Sequence, residues 1–154
     1  MNTHLDDQGS KSRLEAAKII LQQITLLTEQ ASDQKSPAVF LAGDFNSEPD
    51  QEAYSEMTST RSPMGDLQSL IAEDQRYGDV NTFSGFDPQS TSRKRIDFLF
   101  INKGSLNSQN VDGIIDKFAE NWWHLDGYTV LPNRFEDGVF NSDHQAVIGD
   151  VSLI

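Results

Sequence analysis

Gly43-Asp44-Phe45-Asn46 sets a carboxylate and an amide two residues apart, one on each side of a phenylalanine. In extended chain, residues i and i+2 share a side, so Asp44 and Asn46 can project together while Phe45 anchors the turn. Oxygen donors placed this way suit a hard cation such as Mg²⁺, which takes one or two carboxylates and keeps positions for water and phosphate oxygens. The same tetrapeptide also serves a turn in which Asp44 and Asn46 only bond nearby backbone. Ser142-Asp143-His144 offers a carboxylate able to ligate a metal and a histidine able to face a phosphate, although a lone histidine at a strand start is commonly a packing residue. Asp97 stands inside the apolar run Ile96 to Ile101, and a carboxylate there is costly unless paired. Two partnerships are open to it. His144 could have its tautomer fixed and its imidazolium favoured by Asp97, or Arg93, Lys94 or Arg95 could form an ion pair with it. We take His144 as the partner. His4 is a further isolated imidazole, whereas His124, beside Trp122 and Trp123, is assigned to packing. The acidic pairs Asp6-Asp7 and Glu136-Asp137 are assigned to solvated loops.

The elements that must position these groups follow from periodicity. Ser12 with Glu15 reads as a capping box, and Leu14, Ala17, Leu21, Ile24 and Leu27 recur at helical spacing, predicting an amphipathic helix from Ser12 to about Gln30. Ala38-Val39-Phe40-Leu41-Ala42 is too short for a helix and suits a strand buried on both faces, ending at Gly43. A short helix is expected from Asp50 to about Met57, and Leu67 to Ile71 has no clear period. Arg95 to Ile101 predicts a strand with Ile96, Phe98 and Phe100 on one face and Asp97 on the other. Further strands are expected at Val111 to Ile115, around Tyr128 to Leu131, and from Gln145 to Leu153.

Composition bounds the function classes. With 154 residues, 36% hydrophobic and nine Phe, the chain is long and apolar enough for one folded domain, and no apolar run approaches the roughly 20 residues of a membrane span. Twelve Lys plus Arg against 24 Asp plus Glu leave a net charge of −12, so no overall field draws the chain to nucleic acid or an anionic membrane. The lack of cysteine excludes disulfides, thiolate zinc sites and cysteine nucleophiles.

Taken in order, N-T-H-L-D (Asn2 to Asp6), G-D-F-N (Gly43 to Asn46), T-F-S-G-F (Thr82 to Phe86), R-I-D-F-L-F (Arg95 to Phe100) and S-D-H (Ser142 to His144) resemble the endonuclease/exonuclease/phosphatase (DNase I-like) family of metal-dependent phosphoesterases. The resemblance implies an α/β fold, a four-layer α/β sandwich, with residues 1–154 as its C-terminal half and the N-terminal half lacking. It implies a Mg²⁺- or Mn²⁺-dependent nuclease, phosphodiesterase or phosphatase in which an activated water attacks phosphorus in line. By the same resemblance, Asp44 orients or deprotonates that water and Asn46 helps hold it, while Asp143 joins Asp44 and Asn46 at the metal. Asp97 and His144 match the carboxylate–histidine pair at the scissile phosphate, and His4 matches a second phosphate-side donor. Thr82 resembles a phosphate-facing hydroxyl, and Arg95 is taken as a substrate contact. The negative charge favours a small phosphoester over nucleic acid as substrate. The alternative reading is a catalytically incomplete fragment that associates with an N-terminal half or with another copy of itself, through apolar sheet faces and unpaired strand edges.

Overall fold

The structure, a computed structural model, describes residues 1–29, 37–87, 89, 91–103 and 123–153. Among the described residues, seven strands and three α-helices are formed in the order β1 (Asn2–His4), α1 (Ser10–Glu29), β2 (Phe40–Asp44), α2 (Glu52–Thr58), β3 (Met64–Asp66), α3 (Leu67–Leu70), β4 (Arg76–Gly78), β5 (Asp97–Asn102), β6 (Trp123–Leu131) and β7 (Ala146–Leu153), with a 3₁₀ turn at Glu73–Gln75. One sheet runs β1-β2-β5-β3 and the other β4-β6-β7. The expected strand at Val111 to Ile115 lies outside the described residues.

Period-two alternation along β5 builds both layers of core. Phe98 and Phe100 face α1 and α2, where they join Leu41, Phe45, Ala17, Ile24, Ala53 and Met57. Leu99 and Ile101 face the second sheet, packing with Leu67, Trp123, Tyr128 and Val130. Asp97 shares the face of Leu99, as the alternation predicts, and so is turned toward the second sheet at the end of the strand. α3 and β5 approach β7 closely at Gly149, where an added Cβ would fall 2.2 Å from Leu67 Cδ2 and 3.1 Å from Leu99 Cδ1.

α1 starts at Ser10, two residues before the expected cap, so Ser12 lies within its first turn. The Asp6 carboxylate closes the turn before the helix, accepting from the backbone of Gln8 and Gly9 and from the Ser12 hydroxyl, which holds its pKa below the ordinary value. The apolar stripe is also shorter than expected, for Ala17 and Ile24 are fully buried and Leu27 is exposed. Arg13 replaces it as an anchor, its guanidinium 2.8 Å from Glu52 at the start of α2. The aperiodic stretch after Asp66 forms a single helical turn, started by the Asp66 carboxylate accepting from the Gln68 N–H.

Candidate active site

β1 and β2 run parallel and β2 and β5 antiparallel, in a register that pairs His4 with Asp44 and Asp44 with Asp97. Three polar side chains are therefore brought abreast at one end of the first sheet. The close approach of β1 depends on Gly43, where a Cβ would lie 2.0 Å from the Thr3 carbonyl oxygen. Just beyond, Asn46 takes a left-handed conformation, φ 46°, which asparagine tolerates better than most residues. Its backbone N–H donates to Asp44 Oδ1 at 2.8 Å, and its Nδ2 donates to the Leu5 carbonyl at 2.9 Å. The turn thus uses Asp44 in the backbone role that the tetrapeptide allowed, while leaving Asp44 Oδ2 and Asn46 Oδ1 for other partners.

His144, just before β7, closes the group from the second sheet. Its Nδ1 lies 2.8 Å from Asp97 Oδ2 and its Nε2 3.8 Å from Asp44 Oδ2. Asp97 as a carboxylate can only accept, so Nδ1–H donates to it and Nε2 is turned toward Asp44 at more than hydrogen-bonding distance. The expected pairing is the one observed, and two of the three rival cations are engaged elsewhere: Arg95 on Asp66 and Arg93 on Asp79. On the far side, His4 Nε2 stands 3.4 Å from Asp44 Oδ2. His4, Asp44, Asn46 and His144, with Leu5, Asp6 and Asp7 at the rim, line an open hollow of about 450 Å³.

The electrostatics of this wall are unbalanced. Burial pushes the Asp44 carboxyl up from its ordinary value and the charge of Asp97 adds to that, outweighing the Asn46 N–H and the two histidines. For His144, burial disfavours the charged ring, yet the hydrogen bond and charge of Asp97, with Asp44 and Asp143 adding, hold its pKa above the usual histidine value. Among the described residues, Asp44, Asp97 and His144 bring a ligand atom each within 4.8 Å of one another and form a possible acidic and histidine metal site. The donor chemistry fits a hard divalent cation only in part. Asp44 Oδ2 and Asn46 Oδ1 are suitable oxygens, and a cation would relieve the Asp44–Asp97 repulsion, but His144 Nδ1 is already committed to Asp97.

Asp143, Thr82 and Arg95 depart from the expected arrangement. Asp143 is outside the converging group; its backbone carbonyl accepts from Ser84 and Gly85, and its charge reaches His144. Thr82 is fully buried, its hydroxyl accepting from the Ile96 and Asp97 N–H groups, so it sets the start of β5 rather than facing phosphate. Arg95 is 7% exposed, with one guanidinium nitrogen on both Asp66 oxygens and its Nε buried without a partner, so it offers no solvent-facing donor for a substrate. His124 is not a packing residue: it is exposed and pairs with Asp126 at 3.0 Å, while Trp123 beside it is buried. Phe83 was missed. Its ring meets the His144 ring edge-on at 5.1 Å, and its only sequence signal was its place beside Thr82.

Comparison with known proteins agrees with this geometry. Residues 9–119 match the pattern of the Endonuclease/Exonuclease/phosphatase family. Human Nocturnin is 26% identical over 153 residues, which are 98% of this chain and 32% of Nocturnin, so the chain spans about a third of this relative's length. Among solved structures, a conserved protein of unknown function from Enterococcus faecalis superposes with a TM-score of 0.70 at 21% identity, covering 99% of this chain and 49% of that one. A mannosyl-6-phosphatase from Bacteroides thetaiotaomicron gives 0.66 at 23% identity, covering 97% and 49%. With mixed α/β sheets, helices on one face and a match across most of its length, the chain belongs to the endonuclease/exonuclease/phosphatase family, whose members hydrolyse phosphoesters.

Proposed function

We propose that this chain is the C-terminal half, residues 1–154, of a divalent-metal-dependent phosphoester hydrolase that acts by in-line attack of water. The observation that carries the reading is the His144 imidazole, held by Asp97 at 2.8 Å and aimed at Asp44 across 3.8 Å. Asp97 fixes the ring and favours its charged form, in which Nε2–H can donate to a phosphoryl oxygen as its charge grows. Asp44, its pKa pushed up by burial, takes a proton from the attacking water more readily than an ordinary carboxylate would. Asn46 Oδ1 orients that water, and His4 beside Asp44 is a second donor for the phosphate. Asp44 and Asn46 would hold Mg²⁺ or Mn²⁺, with Asp143 adding negative charge nearby. Such a cation supplies charge neutralisation at the phosphoryl oxygens.

A small phosphoester is favoured over nucleic acid as substrate. The net charge is −12, and two of the three consecutive basic residues are already neutralised, Arg93 by Asp79 and Arg95 by Asp66. No basic track for a phosphate backbone is left in that segment. The test is hydrolysis of bis(p-nitrophenyl) phosphate and p-nitrophenyl phosphate with and without Mg²⁺ or Mn²⁺, comparing parent, Asp44→Ala and His144→Ala. Metal-dependent turnover that falls by about 10²-fold or more in each variant supports the reading. Turnover within threefold of the parent removes that residue from the mechanism.

A second reading, association of an incomplete site with an N-terminal half or another copy, is favoured by the edges. β1 ends one sheet and β7 the other, and a groove lined by Asn2, Gly43, Asp97, Leu99, Gln145 and Val147 runs between them. Intact mass and light scattering of purified material distinguish a lone chain from an assembly.

A further inference from the structure

Asp97 and His144 meet at 2.8 Å, yet they come from different sheets: Asp97 opens β5 in the first, and His144 precedes β7 in the second. No ladder joins β5 to β7, so strand pairing by itself does not set that distance. A displacement of about 0.8 Å would end the bond. β5 also starts without a full neighbour. β3 pairs with it only at Phe100, Ile101 and Asn102, which leaves its first residues without a strand on that side.

The segment from Thr82 to Gly85 supplies the missing connection. Toward β5, the Thr82 and Phe83 N–H groups donate to the Lys94 carbonyl at 2.8 and 2.9 Å, and the Lys94 N–H donates back to the Phe83 carbonyl at 3.0 Å. Toward β7, the Ser84 and Gly85 N–H groups donate to the Asp143 carbonyl at 3.0 and 3.1 Å. Phe83 therefore forms bridge pairs with both Lys94 and His144. Asn133 braces the far end, its Nδ2 donating to Ser84 Oγ at 2.9 Å and to the Ser142 carbonyl at 2.8 Å, while Ser142 Oγ accepts from the His144 N–H at 3.0 Å.

Thr82 is bonded to both flanks of the pair. Its Oγ1 accepts from the Ile96 N–H at 3.0 Å and the Asp97 N–H at 2.9 Å, and its carbonyl accepts from the Gln145 N–H at 2.6 Å, in the peptide that follows His144. A hydroxyl oxygen has two lone pairs, and the two amides take both. One oxygen that holds consecutive amides fixes the course of the chain between them, and the Asp97 side chain leaves from that point. Thr82 is fully buried, so water does not compete at either end. We propose that Thr82 is a positioning residue for the Asp97–His144 pair, its hydroxyl placing the carboxylate and its carbonyl the imidazole across the two sheets. The effect on turnover rests on the phosphoester reading; the placement of the pair does not.

The test compares the 154-residue parent with Thr82→Val, Thr82→Ala and Thr82→Ser, by NMR and by hydrolysis of bis(p-nitrophenyl) phosphate with Mg²⁺ or Mn²⁺. Valine keeps the shape and removes the acceptor. Alanine leaves space in which a mobile water satisfies the amides without fixing them, which keeps the test valid should the valine variant fail to fold. The signature is the His144 Nδ1–H proton, expected downfield and slow to exchange in the parent and in Thr82→Ser, and lost to exchange in Thr82→Val and Thr82→Ala. With it, kcat is expected to fall about tenfold or more at a KM within about threefold, and serine to restore it. A folded valine or alanine variant that keeps the resonance overturns the proposal, and a raised KM in that variant would return Thr82 to the substrate. Loss of the resonance in the serine variant, or failure of both other variants to fold, makes Thr82 a residue of the fold alone and also overturns it. A lost resonance with unchanged kcat sinks the catalytic role of the pair and leaves its positioning by Thr82 standing. Absence of metal-dependent turnover in the parent sinks the phosphoester reading, and the resonance still decides the placement.

Discussion

Arg95 and Asp97 are two residues apart, yet they belong to ionic clusters built to opposite specifications. Asp66 and Arg95 are sealed, with side-chain exposures of 1% and 7%, and Asp66 also accepts from the Tyr54 hydroxyl at 2.9 Å and the Ser69 hydroxyl at 3.0 Å. Every charge in that cluster has a counter-charge and every Asp66 oxygen a donor. Asp44, Asp97 and His144 instead keep a half-open face, two carboxylates share one imidazole, and Asp44 carries the cost in a raised pKa. A cluster whose charges cancel, and whose unpartnered Arg95 Nε is sealed from solvent, is closed to a ligand. A cluster with surplus charge on an open face is not, so the imbalance separates the candidate functional group from the structural one.

The largest effect should come from the sealed cluster. Asp66→Ala leaves a buried guanidinium unpaired, and urea unfolding should show a loss of about 3–5 kcal/mol. Replacing both partners, Asp66→Leu with Arg95→Met, should recover most of that loss, because no uncompensated charge remains. If the single variant costs under about 1 kcal/mol, the pair is incidental and the contrast with the active-site cluster disappears.

The converse applies to Asp97. Asp97→Asn keeps the side-chain shape at a half-open position, so melting should change by less than about 1 kcal/mol. In the catalytically competent assembly, kcat toward a nitrophenyl phosphoester should nonetheless fall by about 10²-fold, since the ring at His144 loses the carboxylate charge that favours its protonated form. A large stability loss with little loss of kcat would make this cluster structural as well.

A smaller signature lies in pH. The folded-state pKa of His144 is raised above 6.5, so protonation favours the folded form. That contribution is fully present below pH 6.5 and is lost as pH climbs through the folded pKa. In the parent, stability should decline by less than about 1 kcal/mol across that window, as befits a partly exposed pair, and Asp97→Asn should flatten the decline. The His144 ring resonances, followed by NMR, check the direction independently: a pKa at or below the ordinary value contradicts it.

The differing legibility of the two clusters has a physical origin. Asp97 was conspicuous because a carboxylate in an apolar strand must find a partner, and Phe98 and Phe100 announced the strand by their period; the register then followed. Arg93, Lys94 and Arg95 look alike in sequence, and what distinguishes Arg95 is an aspartate 29 residues away, a tertiary fact with no local trace. Thr82 was read as a phosphate contact through the family resemblance, and only the fold places the Ile96 and Asp97 N–H groups on its hydroxyl. The first helix was read correctly in type and to within a residue at its C-terminal end, but it starts at Ser10 rather than at Ser12.

The smallest effect concerns the cation, and it bears on the surplus charge directly. On the inner wall of the hollow, Asp44 Oδ2 and Asn46 Oδ1 remain for a metal, with Asp6 and Asp7 at the rim, and Mg²⁺ gives up its waters reluctantly. One carboxylate and one amide should therefore bind Mg²⁺ weakly in the isolated chain. At a concentration equal to the dissociation constant, the folded state gains about 0.4 kcal/mol, from RT ln 2, so millimolar Mg²⁺ should raise the melting temperature only slightly. Asp44→Asn should abolish even that rise, because it removes the anionic ligand and the repulsion together. Calorimetry with Mg²⁺ and Mn²⁺ decides the matter. Micromolar binding by the lone chain, surviving Asp44→Asn, would mean that another carboxylate such as Asp6 at the rim takes the metal, and the surplus charge at Asp44 and Asp97 would then serve the phosphate through His144 alone.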